Sequence, residues 1–455
     1  RNDVYFVKES GLFNIKSFME MIQLDGNNPL VIKGSTISFN QTKLDEVLLN
    51  VLTNQSVVEN ILSKKFSIGE LMNSVVFENV DLKITKEKFL EIIMSHSTQD
   101  VSAAYGHGYW VDHWTYNMDL VDNYLSIYPD KAKELLFTED YRFFESPDVV
   151  VPRSEKYLLA DDGVRQYGSL RRSDEKINKL KMNVDETNWT LNDNGDVVYT
   201  TLFTKLLTLL SVKLASLDQY GIGIMMESEK PGWNDAMNGL PGIFGSGVSE
   251  TVELRRVVEL LMNQEDEQVL NIPNEVNDFL NSLELELSKE NDELLYWENV
   301  QAIKETYRKT IELGLSGKTS KVSMSSLNKF LTLASEKINQ AIAKAIELGN
   351  GLIPTFLTFE AKEYELLEAK HHSLGLPLVK VTKWEGRALP HFLEAPARYL
   401  KQIKGDSAIE LHKNVRKSSM YDKKLGLYIT SESLENETLE IGRARAFTAG
   451  WQERA

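Results

Sequence analysis

The sequence predicts an all-α-dominated fold, a toroid or bundle of helices whose irregular loops gather at one end and carry function, with only a few short strands. Three observations lead there. Apolar residues recur at three- and four-residue spacing over long stretches, and Gly/Pro/aromatic loops separate those stretches. No alternating strand–helix pattern points to a parallel sheet. With 455 residues, 42% hydrophobic and 26% charged, the chain can bury a large core.

Residues 43–64 set Leu44, Leu48, Leu49, Leu52, Val57, Ile61 and Leu62 at helical spacing. Residues 199–217 carry Leu202, Phe203, Leu206, Leu207, Leu209, Leu210 and Leu214 around most of the circumference, which predicts an inner, buried helix. Residues 274–298 and 324–349 are amphipathic, and short extended stretches fall near 28–38, 147–158 and 376–383. The polar segment 181–198 and the acidic segment 262–300 read as surface excursions with solvated charges. We expect one catalytic domain over 1–455, incomplete at both ends. It comprises leading helices and a linker (1–95), a first catalytic half (96–250), a helical excursion (251–350) and a second half (351–455). A start at Arg1 without methionine, and a close at Ala455 without a terminating signal, suggest a longer gene product.

The net charge of −16 argues against a nucleic-acid partner, since phosphate backbones are bound through clustered Lys and Arg, and disfavours anionic membranes. No run approaches the roughly 18 apolar residues of a membrane-spanning helix. The sequence has no cysteine, which excludes disulfides, thiolate nucleophiles and cysteine-based metal sites. A reducing or redox-indifferent setting, the cytoplasm, is expected.

Four constellations can carry chemistry. Residues 228–247, "SEKPGWNDAMNGLPGIFGSG", hold five glycines and two prolines around Trp233, Asn234 and Asp235. An indole is a flat platform for the CH-rich face of a sugar, and a carboxyl group against an indole has its pKa raised, as a general acid needs. Read structurally, Asp235 instead caps a helix or turn. Residues 106–120, "GHGYWVDHWTYNMDL", gather Trp110, Asp112, His113, Trp114 and Tyr116, a pattern suited to a sugar subsite, or to plain core aromatics with histidines bonded to backbone groups. His107 and His113 lack i, i+4 spacing and a third ligand, so no metal site is expected. Residues 442–451, "GRARAFTAGW", offer Arg443, Arg445, Thr448 and Gly450 as an anion cradle, or as ordinary ion-pair partners. Residues 385–401 set His391 and Arg398 beside prolines. Aromatics, carboxylates and a few basic groups together point to carbohydrate chemistry.

The "GWNDAMN" run resembles the W-N-D loop of cellobiose phosphorylase and its relatives, in particular the large bacterial cellobiose phosphorylase-like proteins. Ala236 stands where that family has glycine, and Val111-Asp112-His113-Trp114 stands where it has an R-D-S/T-like segment. The resemblance implies an (α/α)6 toroid of six helical hairpins with irregular catalytic loops, and Asp235 as general acid. It implies sugar binding by Asp112 with Trp110, His113, Trp114 and Tyr116, and by Trp233, Asn234 and Asn238. Phosphate would be bound by His391, Arg443, Arg445, Thr448 and Gly450. It further implies a preceding β-sandwich, additional C-terminal helices and a possible homodimer.

The expected reaction is inverting phosphorolysis of a β-linked gluco-oligosaccharide to an α-sugar 1-phosphate, with inorganic phosphate as co-substrate and no metal or organic cofactor. An inverting β-glucan hydrolase is the alternative. It needs a second carboxylate about 6.5–9.5 Å from Asp235, for which Glu227, Glu229 and Glu250 are candidates. A non-catalytic glycan-binding subunit is the third reading.

Overall fold

The computed structural model describes residue 16 and residues 19–26, 28–110, 112–138, 140–182, 188–230, 232–234, 237–264, 268–290 and 292–433. At its centre lies the helix Leu202–Leu214, every residue of which is buried. The all-round apolar pattern demanded this, and Thr201 caps the helix by accepting from the Thr204 N–H. Helix Val248–Met262 packs against this central helix and also touches helices Trp114–Ile127, Met324–Leu348 and Glu394–Leu400. It is therefore the hub through which distant segments meet.

The expected all-α toroid is not what forms. Strand makes up 21% of the structure, and a six-stranded antiparallel sheet stands beside the helices. Its strands run, in spatial order, Gly163–Gln166, Tyr157–Ala160, Pro377–Ala388, Phe356–His371, Ser246–Gly247 and Ile224–Met225. The sequence marked only a short extended stretch near 376–383, yet a long hairpin occupies 356–388. The Glu- and Lys-rich half of Phe356–His371 has a composition that favours helix. Pairing with the second strand overrides it, and a turn around Gly375 (φ 76°) closes the hairpin. Leu357 and Phe359, alternating on one face, anchor its base in the core.

Two further expectations change. The 43–64 helix is broken into Leu44–Leu48 and Gln55–Leu62, because the backbone between turns outward to bond residues 81 and 83 (Leu52 N–H to Asp81 O, Asn50 O from Lys83 N–H). Leu49 and Leu52 are consequently exposed, and Val47, Val58, Leu62, Leu71 and Phe89 form a small core of their own. The 274–298 stretch divides into helices Asn274–Leu287 and Glu293–Thr310, the second capped by Asp292. Within 181–198, Trp189, Thr190 and Leu191 are buried rather than solvated, with the Arg142 guanidinium 4.0 Å above the Trp189 ring. Among the described residues no helix is long and apolar enough to cross a membrane.

Candidate functional site

Asp112 heads the helix Trp114–Ile127, its carbonyl accepting from the Thr115 N–H. Its carboxylate reaches back to the glycine-rich loop, where Oδ1 accepts from the backbone N–H of Trp233 at 3.1 Å, 121 residues further along the chain. A Cβ at Gly232 would stand 3.6 Å from the same oxygen, an ordinary contact, so the approach does not depend on glycine there. Asp112 Oδ2 is buried and has no hydrogen-bond partner among the described residues. Burial pushes the Asp112 carboxyl up to about 6, and Glu394 adds repulsion that Lys213 offsets in part.

Trp233 is held at several points. Its indole Nε1–H donates to Glu394 Oε1 at 3.1 Å, and its ring stacks on Phe392 with centroids 6.3 Å apart. Glu394 in turn accepts from Arg398 Nε at 2.9 Å, and Arg398 Nη1 donates to buried Glu253 at 3.1 Å. Three segments far apart in sequence thus converge on one indole: 106–120, 228–247 and 385–401. An anchored platform next to a carboxyl with a free, buried oxygen can seat a sugar ring and accept from its hydroxyls.

The remaining site residues divide. Tyr116 is partly exposed, stands near Arg398 and Asp112, and meets the edge of the His113 ring at 5.4 Å. Burial pushes His113 down to about 4, which keeps it neutral at pH 7. Trp114 points into the main core, and the backbone of Trp110 pairs with that of Asn28 at a strand end. Asn234 is buried with Oδ1 unpartnered among the described residues. Asn238 closes the loop, its Oδ1 accepting from the Gly232 N–H at 3.0 Å. His391 is fixed by Glu432, which accepts from both its backbone N–H and Nδ1 at 2.9 Å, and its Nε2 is buried without a partner among the described residues. Asp235 lies outside the described residues, as do Arg443, Arg445, Thr448 and Gly450.

Sequence reasoning missed Glu394, Glu253 and Lys213. The i, i+4 spacing of Glu394 with Arg398 and the i, i+3 spacing of Glu253 with Arg256 were the available signals. Of the three carboxylates considered as a hydrolase base, Glu227 is tied up by Lys156, Lys230 and Arg308, and Glu229 accepts from the Leu170 N–H. Glu250, buried on the hub helix, is pushed up to about 7 by burial; Lys213 opposes this, and Asp112 and Glu394 reinforce it. Among the described residues no group of three or more His, Cys, Asp or Glu side chains could hold a metal ion. No known family model matches this sequence, and no curated protein matches it.

Proposed function

We propose that the protein is an inverting glycoside phosphorylase that cleaves a β-linked gluco-oligosaccharide with inorganic phosphate. The observation that carries this reading is the clasp on Trp233: Asp112 on its backbone and Glu394 on its indole nitrogen. The terminal sugar would lie against Trp233 with its hydroxyls bonded to Asp112, whose free oxygen needs a donor. Asp235, two residues along the loop, would protonate the bridging oxygen. Phosphate would attack the opposite face of the anomeric carbon, yielding an α-sugar 1-phosphate; His391 and the 442–451 segment would bind it. Phosphate brings its own charge and nucleophilicity, so the reading requires no other cofactor. The cysteine-free composition fits a cytoplasmic setting, and a homodimer is compatible with it.

The test is direct. The full-length protein is incubated with β-linked gluco-oligosaccharides, with and without phosphate, and the products are analysed for sugar 1-phosphate. Phosphate-dependent formation of that product is expected. Sugar release that ignores phosphate would instead favour an inverting hydrolase with Glu250 as base, whose pKa near 7 suits that task. No turnover of any glycan, with retained glycan binding, would favour a binding subunit.

A further inference from the structure

A second site lies apart from the Trp233 clasp. A cavity of about 290 Å3, near the lower end of small-molecule pockets (roughly 300–1,000 Å3), is bordered by Gln23, Gln219, Glu227, Lys304 and Arg308. Glu227 sits in its wall and receives Lys156 Nζ at 3.0 Å, Lys230 Nζ at 2.8 Å and a two-pronged bond from Arg308 at 2.8 and 3.3 Å. Asp25 lies 3.8 Å from Lys230 Nζ, and Glu305, held by Arg153, lines the same cavity. Buried Lys304 has no ion-pair partner among the described residues, and its Nζ donates to the Ser216 hydroxyl at 3.2 Å. Lys156, Lys230 and Arg308 thus share Glu227, whereas the Lys304 ammonium makes no ion pair with a carboxylate among the described residues. Arg153 in the same wall is already occupied by Glu298 and Glu305.

Unused donors line the same cavity. The side-chain amide nitrogens of Gln23 and Gln219 and the Nε–H of Arg308 are buried without an acceptor among the described residues. A buried donor left unsatisfied is costly, and several in one cavity mark a missing acceptor. An apolar ligand would leave those groups as they are, and a cation would offer neither an acceptor nor a counter-charge for Lys304. An anion with several oxygens supplies both, because a phosphoryl group has the lone pairs and geometry for guanidinium, ammonium and amide donors together.

We propose that this cavity binds a small phosphoryl-bearing anion, either free phosphate or a phosphomonoester, through Lys304, Arg308, Gln23 and Gln219. The proposal is independent of the reading of Asp235 and of the 442–451 segment. It is tested by calorimetric titration of the full-length protein with inorganic phosphate and with glucose 1-phosphate at fixed ionic strength. The background carries Arg443→Ala and Arg445→Ala, so that this segment does not contribute. Saturable binding is expected, weakened at least about tenfold by Lys304→Met and several-fold by Gln219→Leu, as loss of charged and amide hydrogen bonds implies. Lys304→Met should also raise the anion-free melting temperature, since it removes one of the crowded cations; a merely structural lysine would lower it. Binding of both titrants means that the phosphoryl group suffices, and binding of glucose 1-phosphate alone assigns the site to a phosphomonoester. Absence of saturable binding by either titrant overturns the proposal, as does binding that neither substitution changes. Should Lys304→Met fail to fold, Gln219→Leu and Gln23→Leu decide the matter by the same criterion.

Discussion

Glu227 and Trp233 stand six positions apart on one loop, yet the two ends of that loop serve opposite electrostatic environments. At Trp233, carboxyl groups crowd: burial raises Asp112, Glu250 and Glu394, and their mutual repulsion adds to it. At Glu227, cations crowd. Burial works against the carboxylate there too, but Arg308, Lys156 and Lys230 hold it well below the ordinary carboxylate range. The same burial drives Lys304 well below its ordinary value, with Arg308 adding to the effect. Burial is common to both ends; the partners delivered by other elements set the sign. One end thus holds carboxyls, those of Asp112 and Glu250, that release protons near neutrality, as proton transfer requires, and the other holds Glu227 ionised among guanidinium and ammonium groups.

The comparison can be broken at several points. The largest effect is expected from Asp235→Asn. Loss of leaving-group protonation should lower turnover by roughly 10^2- to 10^4-fold with the fold intact, and substrates with activated leaving groups should recover most. Near-wild-type rates on an unactivated glycoside would remove Asp235 from the reaction.

Next comes Glu227→Gln, which leaves Lys156, Lys230 and Arg308 without their shared counter-charge. Breaking a buried ion pair from one side typically costs about 3–5 kcal/mol, so urea denaturation should show a loss of that order. Because the folded state depresses the Glu227 pKa, its contribution is present above the ordinary value of 4.5 and is lost as pH falls through the folded value. The variant should therefore lose part of the acid sensitivity of the wild type. A variant as stable as wild type at pH 7 would contradict the cation-cluster picture.

Asp112→Asn should do the opposite. The carboxyl rises from an ordinary 3.8 to about 6 on folding, so it favours the fold below 3.8, and that contribution is lost as pH rises through about 6. Above pH 6 the asparagine variant should be more stable than wild type by up to about 3 kcal/mol, while its glycan KM rises. Thermal melts from pH 4 to 8 check the sign, and parallel curves for the two proteins would overturn it.

The smallest effect is expected from Glu394→Gln, whose amide oxygen can still accept from the Trp233 indole. Removing its charge relieves the repulsion on Asp112, so the pH at which glycan binding changes should fall slightly, with KM moving a few-fold at most. Titration of glycan binding against pH reads this. An unshifted profile would separate Glu394 from Asp112.

Part of this was legible in the sequence. The chain's most unusual loop stood out, since glycines, prolines and an indole around a carboxylate follow from local chemistry. The burial of Leu202–Leu214 was legible too, because residues apolar around the whole circumference leave no face for water. The toroid was not borne out, and the error has one source. Helical periodicity is a local signal, whereas the hairpin at 356–388 and the six-stranded sheet are made by hydrogen bonds between segments far apart in the chain. The broken helix at 43–64 failed for the same reason, as residues 81 and 83 supplied better partners for its middle.

What the sequence determined by itself was the supply of groups: which carboxylates, cations and aromatics exist, and which backbone stretches can bend enough to carry them. Only the tertiary structure decided their chemistry. It fastened Asp112 to a backbone N–H 121 residues away and set Glu394 on the indole. It also packed four cations around Glu227. A side chain's charge in water is a property of its residue type, but its charge in the interior depends on neighbours brought by other elements, and no local pattern encodes which neighbours those are.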